Sequence, residues 1–85
     1  MLLFLEDWCY KFHHGIDGSK GCNGSRDMFF DELVDAKTFC DGQLGCLGIL
    51  WHLNGKFIPR CGRMVTSSST YWINKNGCLS GNDFL

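Results

Sequence analysis

The chain opens on an unbroken apolar run, Met1, Leu2, Leu3, Phe4 and Leu5, and then mixes aromatic and polar positions to residue 14 without a helical period. That pattern predicts an extended segment or an edge strand. Residues 15–26 (GIDGSKGCNGSR) are polar and glycine-rich, the composition of a loop. Helical spacing begins after them: Leu33, Ala36 and Cys40 stand at i, i+3 and i+7, Asp31 is suited to the N-cap, Glu32 and Asp35 complement the positive end of the helix dipole, and Gly42 supplies a stop. A helix over 32–40 is expected, with the Cys40 thiol on its buried face.

Residues 46–53 (CLGILWHL) are rich in strand formers, Asn54 and Gly55 offer the positive-φ positions of a tight hairpin, and 56–61 return. Pro59 has no N–H to give to a ladder, which puts the returning strand at an edge or on a bulge. Ser67, Ser68 and Ser69 read as loop, and Tyr71, Trp72 and Ile73 as a further strand. Side chains alternate along a strand, so Cys46, Gly48 and Leu50 are expected to face the helix, and Leu47, Ile49, Trp51 and Leu53 to face away. Both faces are apolar. The second stripe must be covered by the terminal strands or by a partner. Leu47, Ile49, Trp51 and Leu53, with Met1, Leu2, Leu3, Phe4 and Leu5, form the candidate binding or assembly surface.

At 85 residues the chain is read as one domain, 1–85, too short for separate cofactor and substrate domains. Eight Lys and Arg against nine Asp and Glu leave a formal net charge of -1, without the basic field of a nucleic-acid partner. No apolar stretch approaches the roughly 20 residues of a membrane span. Six cysteines, Cys9, Cys22, Cys40, Cys46, Cys61 and Cys78, are separated by 12, 17, 5, 14 and 16 residues. No C-x-x-C pair presents two thiolates to one metal or redox centre, so three structural disulfides are the reading, and with them a secreted, extracellular protein. Residues 1–5 lack the basic and long apolar regions of a complete secretory signal, so a leader is read as removed or as surviving in part. Asn23, Gly24 and Ser25 form an N-glycosylation acceptor on the expected loop.

The candidates for catalysis have plainer readings. His13 and His14 are adjacent and point to opposite faces of an extended segment, so no metal site is assigned. His52 has no visible nucleophile or orienting group, and Asp31, Glu32, Asp35 and Asp41 serve the helix ends and its solvent face. The expectation is no enzyme, no cofactor and no metal.

The stretch DELVDAKTFCDGQLGCLGILW, and residues 31–75 more widely, resembles the PAN/apple modules. Ala36, Cys40, Cys46, Gly48, Ile49 and Cys61 follow that family's order of short helix, five-residue spacer, strand and hairpin, and Tyr71, Trp72 and Ile73 resemble its closing strand. Many of these modules carry a further cysteine where this chain has Ala36. Independently of the resemblance, a cysteine on the last helical turn and one at the start of the next strand can reach the roughly 5.5 Å Cα separation of a disulfide, which pairs Cys40 with Cys46. The resemblance implies a first-to-last bridge, Cys9 with Cys78, leaving Cys22 with Cys61; spacing alone leaves those four open.

The expected fold is therefore α+β: one short helix packed on a small, mostly antiparallel sheet, stapled by disulfides and PAN/apple-like. The resemblance implies a non-catalytic extracellular recognition module for a protein or glycan ligand. The alternative is a structural subunit of an extracellular assembly, self-associating through the apolar N-terminal segment and sheet edges.

Overall fold

The computed structural model describes residues 8–80, apart from the Ser69 side chain. Residues 1–5, named above as part of the candidate surface, lie outside the described residues. The elements run β1 (His13–Gly21), α1 (Leu33–Asp41), β2 (Cys46–Trp51) and β3 (Phe57–Asn74), and the strand order is β1-β3-β2. One helix, a small antiparallel sheet and three disulfides make up the fold.

The sheet closes on itself. Ile49 of β2 is paired with Pro59 and also with Ile73, and Trp51 is paired with Phe57 and with Tyr71. In both ladders the partner numbers fall as β2 rises, so both are antiparallel, and a strand can hold two such partners only by using both of its edges. β1 likewise pairs with the first half of β3, from Ile16 opposite Thr66 to Gly21 opposite Arg60, and with the second half, His13 opposite Trp72 and His14 opposite Tyr71. The 18-residue β3 thus supplies two segments of a small barrel of four strand segments.

Several sequence expectations change. The glycine-rich segment after residue 14 is not loop: most of it is β1. Its glycines stand where another chain segment comes too close for a side chain. A Cβ on Gly18 would lie 2.8 Å from the Arg60 Cβ, and one on Gly21 would lie 2.0 Å from the Arg26 carbonyl oxygen. Gly15 has φ 79°, at the irregularity where β1 passes from one half of β3 to the other. The serine run expected as loop lies within β3. Pro59 is fully buried and stands one residue beyond the end of the β1 ladder, whose last partner is Arg60. In the β2–β3 connection only Gly55 has positive φ, 86°, with His52 N–H donating to Lys56 O and Gly55 N–H to His52 O. Asn54 instead accepts the Lys56 N–H on its side-chain oxygen.

The helix begins one residue later than expected. Glu32, not Asp31, is the N-cap, without a side-chain capping bond, while Asp31 forms an ion pair with Lys56 across the hairpin. Gly42 closes the helix in a right-handed conformation, its N–H donating to the Thr38 and Phe39 carbonyls. Ala36 and Cys40 are buried and Leu33 packs beside them, with Trp8, Cys46, Ile49, Cys61 and Ile73 forming the rest of this core. Trp8 is held by donating its indole N–H to Asp41 and by the Lys37 ammonium above its ring.

The disulfides join Cys9 to Cys78, Cys22 to Cys61 and Cys40 to Cys46, with Cα separations of 4.7, 5.1 and 5.4 Å. The longest closes a 69-residue separation, so it ties the segment before β1 to the segment after β3. In a domain this small, each such link typically contributes about 2 to 4 kcal/mol by restricting the unfolded chain.

Candidate functional site

Closure of the barrel divides the stripe expected on β2. Ile49 is fully buried in the core and Leu47 is half-buried, whereas Trp51 is 38% exposed and Leu53 87% exposed. Ile49 is therefore a packing residue and not part of a binding face. Both edges of β2 carry partners; along the strand Cys46, Gly48 and Ile49 are buried, Leu47 and Leu50 are half-buried, and exposed positions begin at Trp51 and continue through the following turn.

At that end the aromatic residues gather. Trp51 has Phe57 and Tyr71 as its two ladder partners, and its ring lies 6.2 Å from that of Phe57 and 5.9 Å from that of Tyr71. Phe12, from the segment leading into β1, stacks on Trp51 at 5.2 Å with 23° between the planes and meets Tyr71 edge-on at 5.9 Å. His14 lies edge-on to Tyr71 at 4.4 Å. Ring pairs at these separations are each worth about 0.5 to 1.5 kcal/mol beyond their buried area, enough to hold the cluster in one arrangement while its rim remains open.

Against the cluster lies an open groove of about 230 Å³ lined by Leu50, Trp51, His52, Leu53, Ser68 and Thr70. A smaller one of about 80 Å³ is lined by Trp51, His52, Leu53 and Tyr71. The lining combines apolar surface with hydroxyl and imidazole groups and contains no charged side chain. The Thr70 hydroxyl donates to the Ile16 carbonyl at 2.9 Å, and His52 Nδ1 accepts the Asn54 N–H at 3.3 Å, so both polar side chains are fixed in direction. Phe12, Ser68, Thr70 and Tyr71 were not among the sequence candidates. Sequence alone marks Phe12 and Tyr71 as aromatic strand residues, and nothing local says that they meet Trp51.

The two adjacent histidines turn to different partners. His13 is half-buried, accepts the Leu79 N–H on Nε2 at 2.9 Å and stands 3.6 Å from Cys9 Sγ. Burial, with a smaller contribution from Lys11, holds its imidazole below the ordinary pKa of 6.5. Cys9, His13 and Cys78 bring three potential ligand atoms within 4.8 Å of one another, but the two sulfurs are joined in a disulfide.

Asn23 is exposed, on a tight turn and not on an irregular loop. Asn23 and Arg26 exchange two backbone hydrogen bonds, at 3.0 and 3.1 Å, and Gly24 and Ser25 both have positive φ, 62° and 74°. This is the mirror-image turn that joins antiparallel strands. Elsewhere, Arg60 donates to Asp17 Oδ1 at 3.0 Å and to the Gly18 carbonyl at 3.1 Å, and also pairs with Asp27; these partners place it in the framework of β1 and not in the groove. No helix of the described residues is long and apolar enough to cross a membrane.

Comparison with protein-family models, with curated proteins and with solved structures finds no match for this chain.

Proposed function

We propose that the protein is a non-catalytic extracellular recognition module that binds a saccharide in the groove beside Trp51. The observation that carries this reading is the contrast among the three tryptophans: Trp8 and Trp72 are buried, whereas Trp51 is exposed at the edge of a groove with uncharged polar walls. A sugar ring presents an apolar C–H face and a rim of hydroxyls, which matches a lining that combines the apolar Trp51 and Leu53 with the polar His52, Ser68 and Thr70. At about 230 Å³ the groove is below the roughly 300 to 1,000 Å³ of sites for drug-sized molecules, and suits one small polar unit of a longer ligand. Three disulfides support an extracellular setting. The PAN/apple resemblance of residues 31–75 points the same way, toward recognition of glycan or protein.

A structural subunit is the second reading, favoured by the exposure of Leu53 and Trp51. Pairing on both edges of β2 removes that strand as a site of edge-to-edge addition.

The test is an array of immobilised neutral, sialylated and sulfated oligosaccharides, probed with the wild-type protein and with a Trp51→Ser, Leu53→Ser double variant. The expected result is binding to neutral glycans that the double variant loses. Absence of glycan binding, or binding that survives in the variant, contradicts the reading. Concentration-dependent self-association lost in the same variant would favour the structural subunit.

A further inference from the structure

Two of the three disulfides meet inside the fold. Cys46 and Cys61 are partners across the β2–β3 ladder, and the sulfurs of Cys22, Cys46 and Cys61 all lie within 4.8 Å of one another. Cys46 is bonded to Cys40, and Cys61 to Cys22. Strand register therefore holds a sulfur of each bridge within reach of the other. Exchange between thiols and disulfides requires a thiolate near a disulfide sulfur and a route for the attacking thiol. Proximity is built in here. The three clustered sulfurs are buried, and Cys22 is the least enclosed of the four residues, half-buried where Cys40, Cys46 and Cys61 are buried, which makes it the point of entry for an external thiol.

We propose that Cys22, Cys46 and Cys61 form a thiol–disulfide exchange site that responds to an external thiol. The thiolate of that thiol attacks Cys22 Sγ. The Cys22–Cys61 bond breaks, a mixed disulfide forms at Cys22, and Cys61 leaves as a thiolate. The Cys61 thiolate then attacks Cys46 Sγ: the Cys46–Cys61 bond forms, the Cys40–Cys46 bond breaks, and Cys40 leaves with the electron pair and takes a proton from water. One external thiol is consumed and one protein thiol appears, with no net oxidation. Residues opposite one another on an antiparallel ladder have Cα atoms about 4.5 to 5.5 Å apart, within the span of a disulfide, so the new bond needs no change of register. The product is a second covalent state of the same barrel, in which α1 is no longer tethered to β2.

The Cys22→Ser variant tests this by leaving Cys61 without its partner, the state that follows the first attack. After incubation in native buffer, alkylation and tryptic digestion, residues 38–56 carry both Cys40 and Cys46, while residues 61–63 carry Cys61 alone. The expected product is 38–56 linked to 61–63 with Cys40 alkylated, formed in native buffer and lost in concentrated guanidinium, where register is absent. Peptide 38–56 bridged internally, with Cys61 alkylated or joined to a second chain, overturns the proposal. If near-UV circular dichroism shows that this variant does not fold, the wild type with substoichiometric glutathione decides: the same linked peptide with glutathione on Cys22 supports the relay, and native pairings alone overturn it.

Discussion

Gly48 lies against the Trp72 indole: a Cβ at position 48 would stand 2.5 Å from Cζ2 of that ring and 2.5 Å from the Ile73 carbonyl oxygen. Trp72 is fully buried and donates its indole N–H to Asn74 Oδ1, so the ring is fixed by packing and by a hydrogen bond. Gly48→Ala must displace backbone or indole, and the expected loss of stability is about 1 to 3 kcal/mol or more. Urea denaturation followed by tryptophan fluorescence measures it. A loss below about 0.5 kcal/mol, the scale of a surface change, would show that the contact is not tight.

Ser25 occupies a left-handed conformation that glycine adopts without strain. Ser25→Gly is expected to stabilise the turn by about 0.5 to 1 kcal/mol, the left-handed cost for a side chain less the added freedom of glycine in the unfolded chain. The same change destroys the Asn23 acceptor. In a eukaryotic secretory host, the wild type is expected to gain glycan mass and the variant to show the mass of the bare polypeptide with three disulfides. A wild-type mass without glycan counts against modification at Asn23.

His13 gives the fold a dependence on acid. Its Nε2 accepts the Leu79 N–H, a bond that protonation removes, and burial lowers its pKa in the folded chain. A lowered folded pKa means that the unfolded state binds the proton more readily. The contribution of His13 is therefore complete above about pH 6.5 and is lost as pH falls through the folded value. Thermal melting between pH 7.5 and about pH 4.5 should show a fall in midpoint for the wild type that is shallower in His13→Gln. Parallel curves for the two proteins would remove His13 as the cause.

Arg60 joins β3 to β1 through Asp17 and the Gly18 carbonyl, and to the following turn through Asp27, with its side chain 17% exposed. Arg60→Ala leaves Asp17 with its side chain largely enclosed and without its cation. The expected cost is about 1 to 3 kcal/mol, read from chemical denaturation, discounted from a fully buried pair because Asp27 reaches solvent. Arg60→Lys should recover only part of it, because an ammonium cannot reproduce three directed contacts.

The helix and the Cys40–Cys46 bridge are legible in the sequence because both depend on near neighbours: the apolar period ending at Cys40, the stop at Gly42 and a short loop to Cys46. β1 is not, because Gly18 and Gly21 look like loop residues until Arg60 and Arg26 are seen against them. The same holds for Ile49. Alternation along β2 sets Ile49 on the face opposite Cys46, but the register shift between Cys46 and Gly48 breaks the alternation, so that Ile49 packs with Cys46, Ala36 and Cys40 while Leu50 lines the groove. β3 also returns along the second edge of β2, a closure that no local pattern shows. The groove is built from that long-range closure too, so Trp51 and Leu53 are identifiable from sequence, while Phe12, Ser68, Thr70 and Tyr71 enter only through the fold.

The recognition reading is tested most directly by ¹H–¹⁵N spectra of the three tryptophan indoles during titration with a neutral oligosaccharide such as a tetramer of N-acetylglucosamine or glucose. Trp8 and Trp72 donate their indole N–H groups to Asp41 and Asn74 inside the protein, which makes them internal controls. Saturable movement of the Trp51 indole, together with the backbone amides of His52, Leu53, Ser68 and Thr70, is the expected result, with the Trp8 and Trp72 indoles unmoved. A Trp51 indole that stays in place under millimolar neutral saccharide, or shifts centred on Trp8 and α1, would contradict the assignment of the groove as the binding site.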